Sequence, residues 1–203
     1  MARPEVSDFT KLKRLSRFLV GVQTVEWQYP WQNDLDARSV KVFCDSDWAG
    51  CLETRRSTSG GVLMIGSHPL RTWATTQPVV ATSSAEAELY SLAEGASRGL
   101  GFKTVLEETG IEVCLSGATD SSAAKAFAST RGFGKMRHLQ VKDLWIQALV
   151  KSGRINLHKI RGEVNVADAL TKYLDRARCT QVLALGGMRV VPAERHDRAE
   201  GGC

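Results

Sequence analysis

The chain has too little patterned cysteine and histidine to be built around zinc or disulfides. Its five cysteines, at positions 44, 51, 114, 179 and 203, are odd in number and contain no C-x-x-C pair. A structural zinc site or a disulfide framework needs tighter spacing, so these read as buried or incidental thiols. The four histidines, His68, His138, His158 and His196, form no H-x₃-H cluster. No apolar run approaches the roughly 20 residues that span a bilayer. The opening MARPEVSDFTKLKRL lacks the apolar core of a secretory signal. The expectation is an intracellular protein, not secreted, with no membrane partner.

What is present suits one main globular domain with an appendage: 203 residues, 43% hydrophobic and 24% charged. The net charge is +5 and the pI near 9.1. A basic protein is drawn to polyanions, of which nucleic acid is the commonest. That balance names a class of partner and no site.

Apolar spacing predicts the elements. Residues 7–21 form an amphipathic helix, with Leu12, Leu15, Phe18 and Leu19 on one face. Residues 25–39, with Pro30 and a run of Asn, Asp and Ser, read as an extended linker. Strands are predicted at 39–44, 60–67, 70–76, 112–119 and 154–160. Helices are predicted at 83–102, 121–130, 138–153 and 166–175. Ser83 and Glu86 make a capping box at the first of these four. Three strands in series followed by alternation imply a mixed five-stranded α/β sheet, an antiparallel meander joined to parallel strands by crossover helices. The polar tail, 186–203, is expected to be flexible.

Four carboxylates fall at the ends of these elements. Asp45 closes the first strand in FCDSDWAG, Glu88 lies in the first turns of the long helix, Asp120 ends the fourth strand, and Asp168 opens the last helix. If the first and fourth strands are neighbours, Asp45 and Asp120 emerge together. Such a cluster needs compensating charge, which hard divalent cations with oxygen ligands supply. Taken singly, each acid also has a local explanation. Asp45 and Asp47 can form a turn before Gly50, Asp120 can cap the helix after it, and Asp168 can pair with Asn165. Periodicity does not choose between Glu86 and Glu88, and Glu86 is accounted for by the capping box.

Read together, the segments FCDSDWAG, RRSTSGGVLMIG, SSAEAELYSLAEGA, TDSSAA and VNVADALTK resemble, in this order, the ribonuclease H domain of Ty1/copia-type retrotransposon polyproteins. The resemblance covers residues 40–173. The segment KLKRLSRFLVG is similar to the end of the reverse transcriptase in the same polyproteins, although no Tyr-x-Asp-Asp polymerase motif is present. It implies residues 1–38 as a helix and linker, a ribonuclease H-like domain over 39–185, and the tail beyond.

The implied activity is hydrolysis of the RNA strand of an RNA–DNA hybrid with two Mg²⁺ ions, Mn²⁺ being a possible substitute. Motif by motif, the implied ligands and catalytic set are Asp45, Glu88, Asp120 and Asp168, with Asp47 in support. The implied partners are the hybrid and the reverse transcriptase of the same polyprotein, in a cytoplasmic virus-like particle or the nucleus. Many relatives carry a histidine in the loop before the last carboxylate. Here that loop, KIRGEVNVAD, has none, leaving Glu163 or Arg161 to substitute, while His158 falls in a predicted strand. Substrate contact is expected from Arg55, Arg56 and the main chain from Ser57 onward, and from Arg131, Lys135, Arg137 and His138. A solvated loop explains those cations equally well. An inactive or domesticated remnant that binds nucleic acid without cleavage is the alternative, and an integrase or transposase of the same broad fold is a third reading.

Overall fold

The structure is a computed structural model that describes residues 5–22, 24–132 and 144–191. The central strand is β2 (Ser39–Asp47), in which Val40, Val42 and Cys44 are wholly buried. It runs antiparallel to β3 (Thr58–Ile65), which runs antiparallel to β4 (His68–Thr76). On its other side β2 runs parallel to β5 (Cys114–Thr119), itself parallel to β6 (Asn156–Lys159). The sheet order is therefore β4-β3-β2-β5-β6, the mixed five-stranded arrangement anticipated from the element order.

Helix α3 (Ser84–Glu108), α4 (Ser122–Ser129) and α5 (Trp145–Lys151) enclose the main core, in which Leu89, Leu92, Leu115, Phe127, Ile146 and Ile155 pack on Val40 and Val42. α3 lies close to the sheet because two of its residues have no side chain. A Cβ on Gly95 would stand 2.3 Å from Cys44 Sγ and 2.9 Å from Val42 Cγ1, and one on Gly99 would stand 2.8 Å from side-chain carbons of Val42 and Leu115. Gly95→Ala should gain roughly 1 kcal/mol of helix propensity but lose about 2–3 kcal/mol to overpacking against the central strand. The expected result is a net destabilisation, read as a lower urea midpoint; a higher midpoint would contradict this packing.

Several boundaries differ from the sequence reading. The long helix continues to Glu108. The last predicted helix, 166–175, is instead a 3₁₀ turn at Val166–Leu170, preceded by another at Gly162–Val164. Asn165 ends any longer helix there: its side chain accepts from Ala167 N and its Nδ2 donates to Cys44 O at 3.0 Å, pinning the turn to β2. A fresh N-cap at Asp175 then starts an unanticipated helix, α6 (Arg176–Leu185). Val182 of α6 and Val166 cover Val62 and Met64 on the second face of the sheet.

The tail expected from 186 begins later, because β7 (Met188–Val191) pairs antiparallel with β1 (Thr24–Trp27) inside the supposed linker. That linker also holds a one-turn helix, α2 (Asp34–Ala37), capped by Asn33. The first helix, α1 (Val6–Gly21), buries no residue, and its row Leu12, Leu15, Phe18 and Leu19 is exposed. No described helix is long and apolar enough to cross a membrane.

Candidate metal centre

Pairing between β2 and β5 ends at Phe43↔Ala118. Asp45 and Asp120 each stand two residues beyond that pair. Because side chains alternate along a strand, both leave the sheet on the face that Phe43 and Ala118 share. The backbone is held up to this point by side chains from other elements: Asn165 takes the Cys44 carbonyl, and Ser91 Oγ donates to Asp45 O at 2.7 Å. The 3₁₀ turn sits over β3 at Gly60, where a Cβ would meet Thr171 Cγ2 at 2.6 Å. That close seating brings in Asp168. One oxygen from each of Asp45, Asp120 and Asp168 lies within 4.8 Å of the others.

The local explanations for these acids do not hold. The cap of α4 is Ser121, whose side chain accepts from Ala124 N, so Asp120 is not the cap. Asp168 faces Lys172, whose Nζ donates to it at 2.7 Å and to Asp45 Oδ1 at 3.0 Å. Asp45 Oδ2 also accepts from Thr171 Oγ1, and Arg178 lies 3.4 Å from Asp168 Oδ2. Asp47 does shape the turn, accepting from Thr58 N.

The structure also separates the two glutamates. Glu86 accepts from Thr82 N and Oγ1 and from Tyr90 OH, beside the cap made by Ser83. Glu88 instead reaches back to the end of β2, where its Oε1 accepts from Ser46 N at 3.3 Å. Its Oε2 is buried with no hydrogen-bond partner. Burial, and then the negative charges of Asp45 and Asp120, push Glu88 up to about 8. Burial also raises Asp45, against the opposing pull of Thr171 and Lys172. Burial works against the charge of Lys172, yet Asp168 and Asp45 outweigh it and raise its pKa.

This donor set fits a hard divalent cation. All four side chains offer oxygen, three of them converge, and the unsatisfied buried oxygen of Glu88 lies beside the charges of Asp45 and Asp120. A buried polar atom without a partner costs on the order of 1–3 kcal/mol, and a metal ligand role would supply the missing contact.

No protein-family profile matches the chain. It is 29% identical over 200 residues to the retrovirus-related Pol polyprotein from transposon RE1 of Arabidopsis thaliana, covering 95% of this chain and 13% of that one. It is 30% identical over 184 residues to the corresponding polyprotein from transposon RE2 of the same plant, covering 87% and 12%. Its homologues are Ty1/copia-type retrotransposon Pol polyproteins. An uncharacterized mitochondrial protein of Arabidopsis thaliana is 41% identical over 93 residues, which is 46% of this chain and 38% of that protein. The chain thus spans well under half the length of the curated relatives it matches. Among solved structures, RNase H1 of the halophilic archaeon Halobacterium salinarum aligns with a TM-score of 0.48 and 16% identity, covering 65% of this chain and 93% of that one.

In this Pol homologue the expected substrate-contacting residues do not stand together as a set. Arg55 and Arg56 are exposed on the turn after β2, and Arg131 is exposed beyond α4. Lys135, Arg137 and His138 lie outside the described residues. Ser57 does not fit the role. It is wholly buried, its Oγ accepts from Ala49 N at 2.9 Å and its carbonyl accepts from Gln77 N. The main chain that follows is also occupied: Thr58 N serves Asp47, and Gly60 lies under Thr171. The stretch RRSTSG looks like an open loop in sequence, but its second half is already β3. His158 is exposed on the edge strand β6.

Lys172, Thr171, Ser91, Asn165 and Arg178 were not singled out from the sequence, although each orders the cluster. For Lys172 a signal existed, since it stands four residues after Asp168, a spacing at which opposite charges meet on one helical face.

Proposed function

We propose that the chain is an endonuclease that hydrolyses the RNA strand of RNA–DNA hybrids during retrotransposon reverse transcription, with two divalent cations, Mg²⁺ or in its place Mn²⁺, held by Asp45, Glu88, Asp120 and Asp168. The observation that carries this reading is the convergence of Asp45, Asp120 and Asp168 at strand and turn ends in a chain homologous to Pol polyproteins. Divalent cations bound there would lower the pKa of a water and offset charge on the departing oxygen. Asp45 is the member common to both halves of the cluster: it shares Lys172 with Asp168 and raises Glu88 together with Asp120. It is therefore the ligand best placed to serve both ions. Ser91 and Asn165 hold its backbone rigid, and Thr171 orients its carboxylate. Water is the nucleophile, the products are a 5′-phosphate and a 3′-hydroxyl, and no side chain needs to form a covalent bond.

The test is cleavage of an end-labelled RNA–DNA hybrid by the purified chain in Mg²⁺, Mn²⁺ or EDTA. Metal-dependent cutting confined to the RNA strand is the expected result. A folded chain that binds the hybrid and leaves it intact in every metal would favour the non-cleaving remnant. The exposed pair Arg55 and Arg56 gives a second expectation. If both neutralise phosphates, Arg55→Ala with Arg56→Ala should reduce the salt slope of log Kd by about 1.5–2, whatever the sequence of the hybrid. A binding isotherm series from 50 to 300 mM KCl in Ca²⁺ or EDTA reads this, and an unchanged slope would return both arginines to a solvated turn.

A further inference from the structure

Asp45 and Asp168 share a cation that belongs to the chain itself. The two carboxylates have side-chain exposures of 0% and 12%, whereas Lys172, which donates to both, is 44% exposed. Its ammonium is therefore inside the cluster while its stem leads out to solvent. The other cation in contact is fixed by comparison. Arg178 donates to Glu163 O at 2.6 Å, to Gly162 O at 2.9 Å and to Gln181 Oε1 at 3.0 Å, besides lying 3.4 Å from Asp168.

A metal ion drawing one oxygen from each of Asp45, Asp120 and Asp168 must use two of the carboxylates that Lys172 now engages. An ammonium at that position repels a divalent ion across a few ångströms of partly desolvated space. A flexible four-carbon stem lets lysine move away, which the three-point anchoring of Arg178 does not.

We propose that Lys172 is a tethered counter-ion that holds Asp45 and Asp168 together in the metal-free protein and is displaced when a divalent cation binds. The proposal rests on the metal-centre reading above. It explains how a buried carboxylate cluster stays assembled before metal arrives, and it means that metal binding works against an internal competitor.

The experiment is a Mn²⁺ titration by calorimetry of the full chain, without nucleic acid, for wild type, Lys172→Met and Lys172→Arg. Lys172→Met should bind Mn²⁺ roughly tenfold more tightly, the effect of losing two partly screened ion pairs together, while Lys172→Arg stays near wild type. Acylation of Lys172 in the wild-type chain, read by peptide mass spectrometry, should be faster at saturating Mn²⁺ than in EDTA, a readout that needs no variant. If wild type binds Mn²⁺ but Lys172→Met binds it no more tightly, displacement is wrong and the metal centre stands. Unchanged or slower acylation at saturating Mn²⁺ would carry the same meaning. If neither protein binds Mn²⁺, the metal-centre reading fails and this inference fails with it.

Discussion

Asp45→Asn is expected to lower Mg²⁺-dependent cleavage of the RNA strand by a factor of ~10³ or more, with Asp120→Asn close behind. Asparagine keeps the shape of the side chain and one carbonyl oxygen but removes the negative charge that a hard cation requires. The loss should not come from unfolding. In the metal-free protein the Asp45 carboxylate is wholly buried, and burial disfavours its charged form. Neutralising it relieves that penalty and in exchange deprives Lys172 of one of its two partners. Opposing changes of this kind usually leave a net of about 1 kcal/mol or less, unlike the removal of one partner from a fully buried pair. Single-turnover cleavage at saturating hybrid, beside urea unfolding of each variant, separates the two effects. A folded Asp45→Asn protein that cuts at the wild-type rate would remove Asp45 from the centre and the central argument with it.

The parts of this site that were legible in the sequence were those encoded locally. Asp45 and Asp120 are visible because a carboxylate at the end of an apolar strand is unusual, and two parallel neighbours in register must release their ends together. The choice between Glu86 and Glu88 was not legible, since both border the apolar face of α3. What decides it is the position of Ser46 at the end of a strand 42 residues away in sequence. Asp168 was found by its motif, but the helix expected around it is a 3₁₀ turn, because Asn165 is tied to a carbonyl 121 residues distant. Lys172 has one partner four residues away and a second 127 residues away, and the second is what makes it part of the site. The β1–β7 ribbon was missed for the same reason: four-residue strands from opposite ends of the chain carry no local periodicity to announce their pairing. Ser57 shows the converse error, a polar residue in a turn-like string that the fold buries completely.

The stability of the metal-free protein should fall as pH rises from about 5 to 8.5, and Glu88→Gln should remove much of that fall. Glu88 is pushed up to about 8 from an ordinary 4.5, first by burial and then by Asp45 and Asp120. Between those two values the folded chain holds a proton that the unfolded chain has released, so raising the pH favours unfolding. The contribution is complete below the unfolded value and is lost as pH passes through about 8. Asp45, raised by burial, acts in the same direction. Discounted for partial solvent access, the Glu88 share is on the order of 2 kcal/mol, or about 4–8 °C in Tm for a chain of this size. Glutamine carries no proton to lose, so its melting temperature in EDTA should vary less across the same range. Divalent metal reverses the trend. A carboxylate must ionise to become a ligand, so Mg²⁺ affinity should rise with pH over this window in wild type and rise less steeply in Glu88→Gln. Thermal melts at half-unit pH steps, with EDTA and with saturating Mg²⁺, check both signs at once. Parallel wild-type and Glu88→Gln curves in EDTA would show that Glu88 is already ionised near neutrality, and that its buried oxygen is satisfied by something other than a proton or a metal.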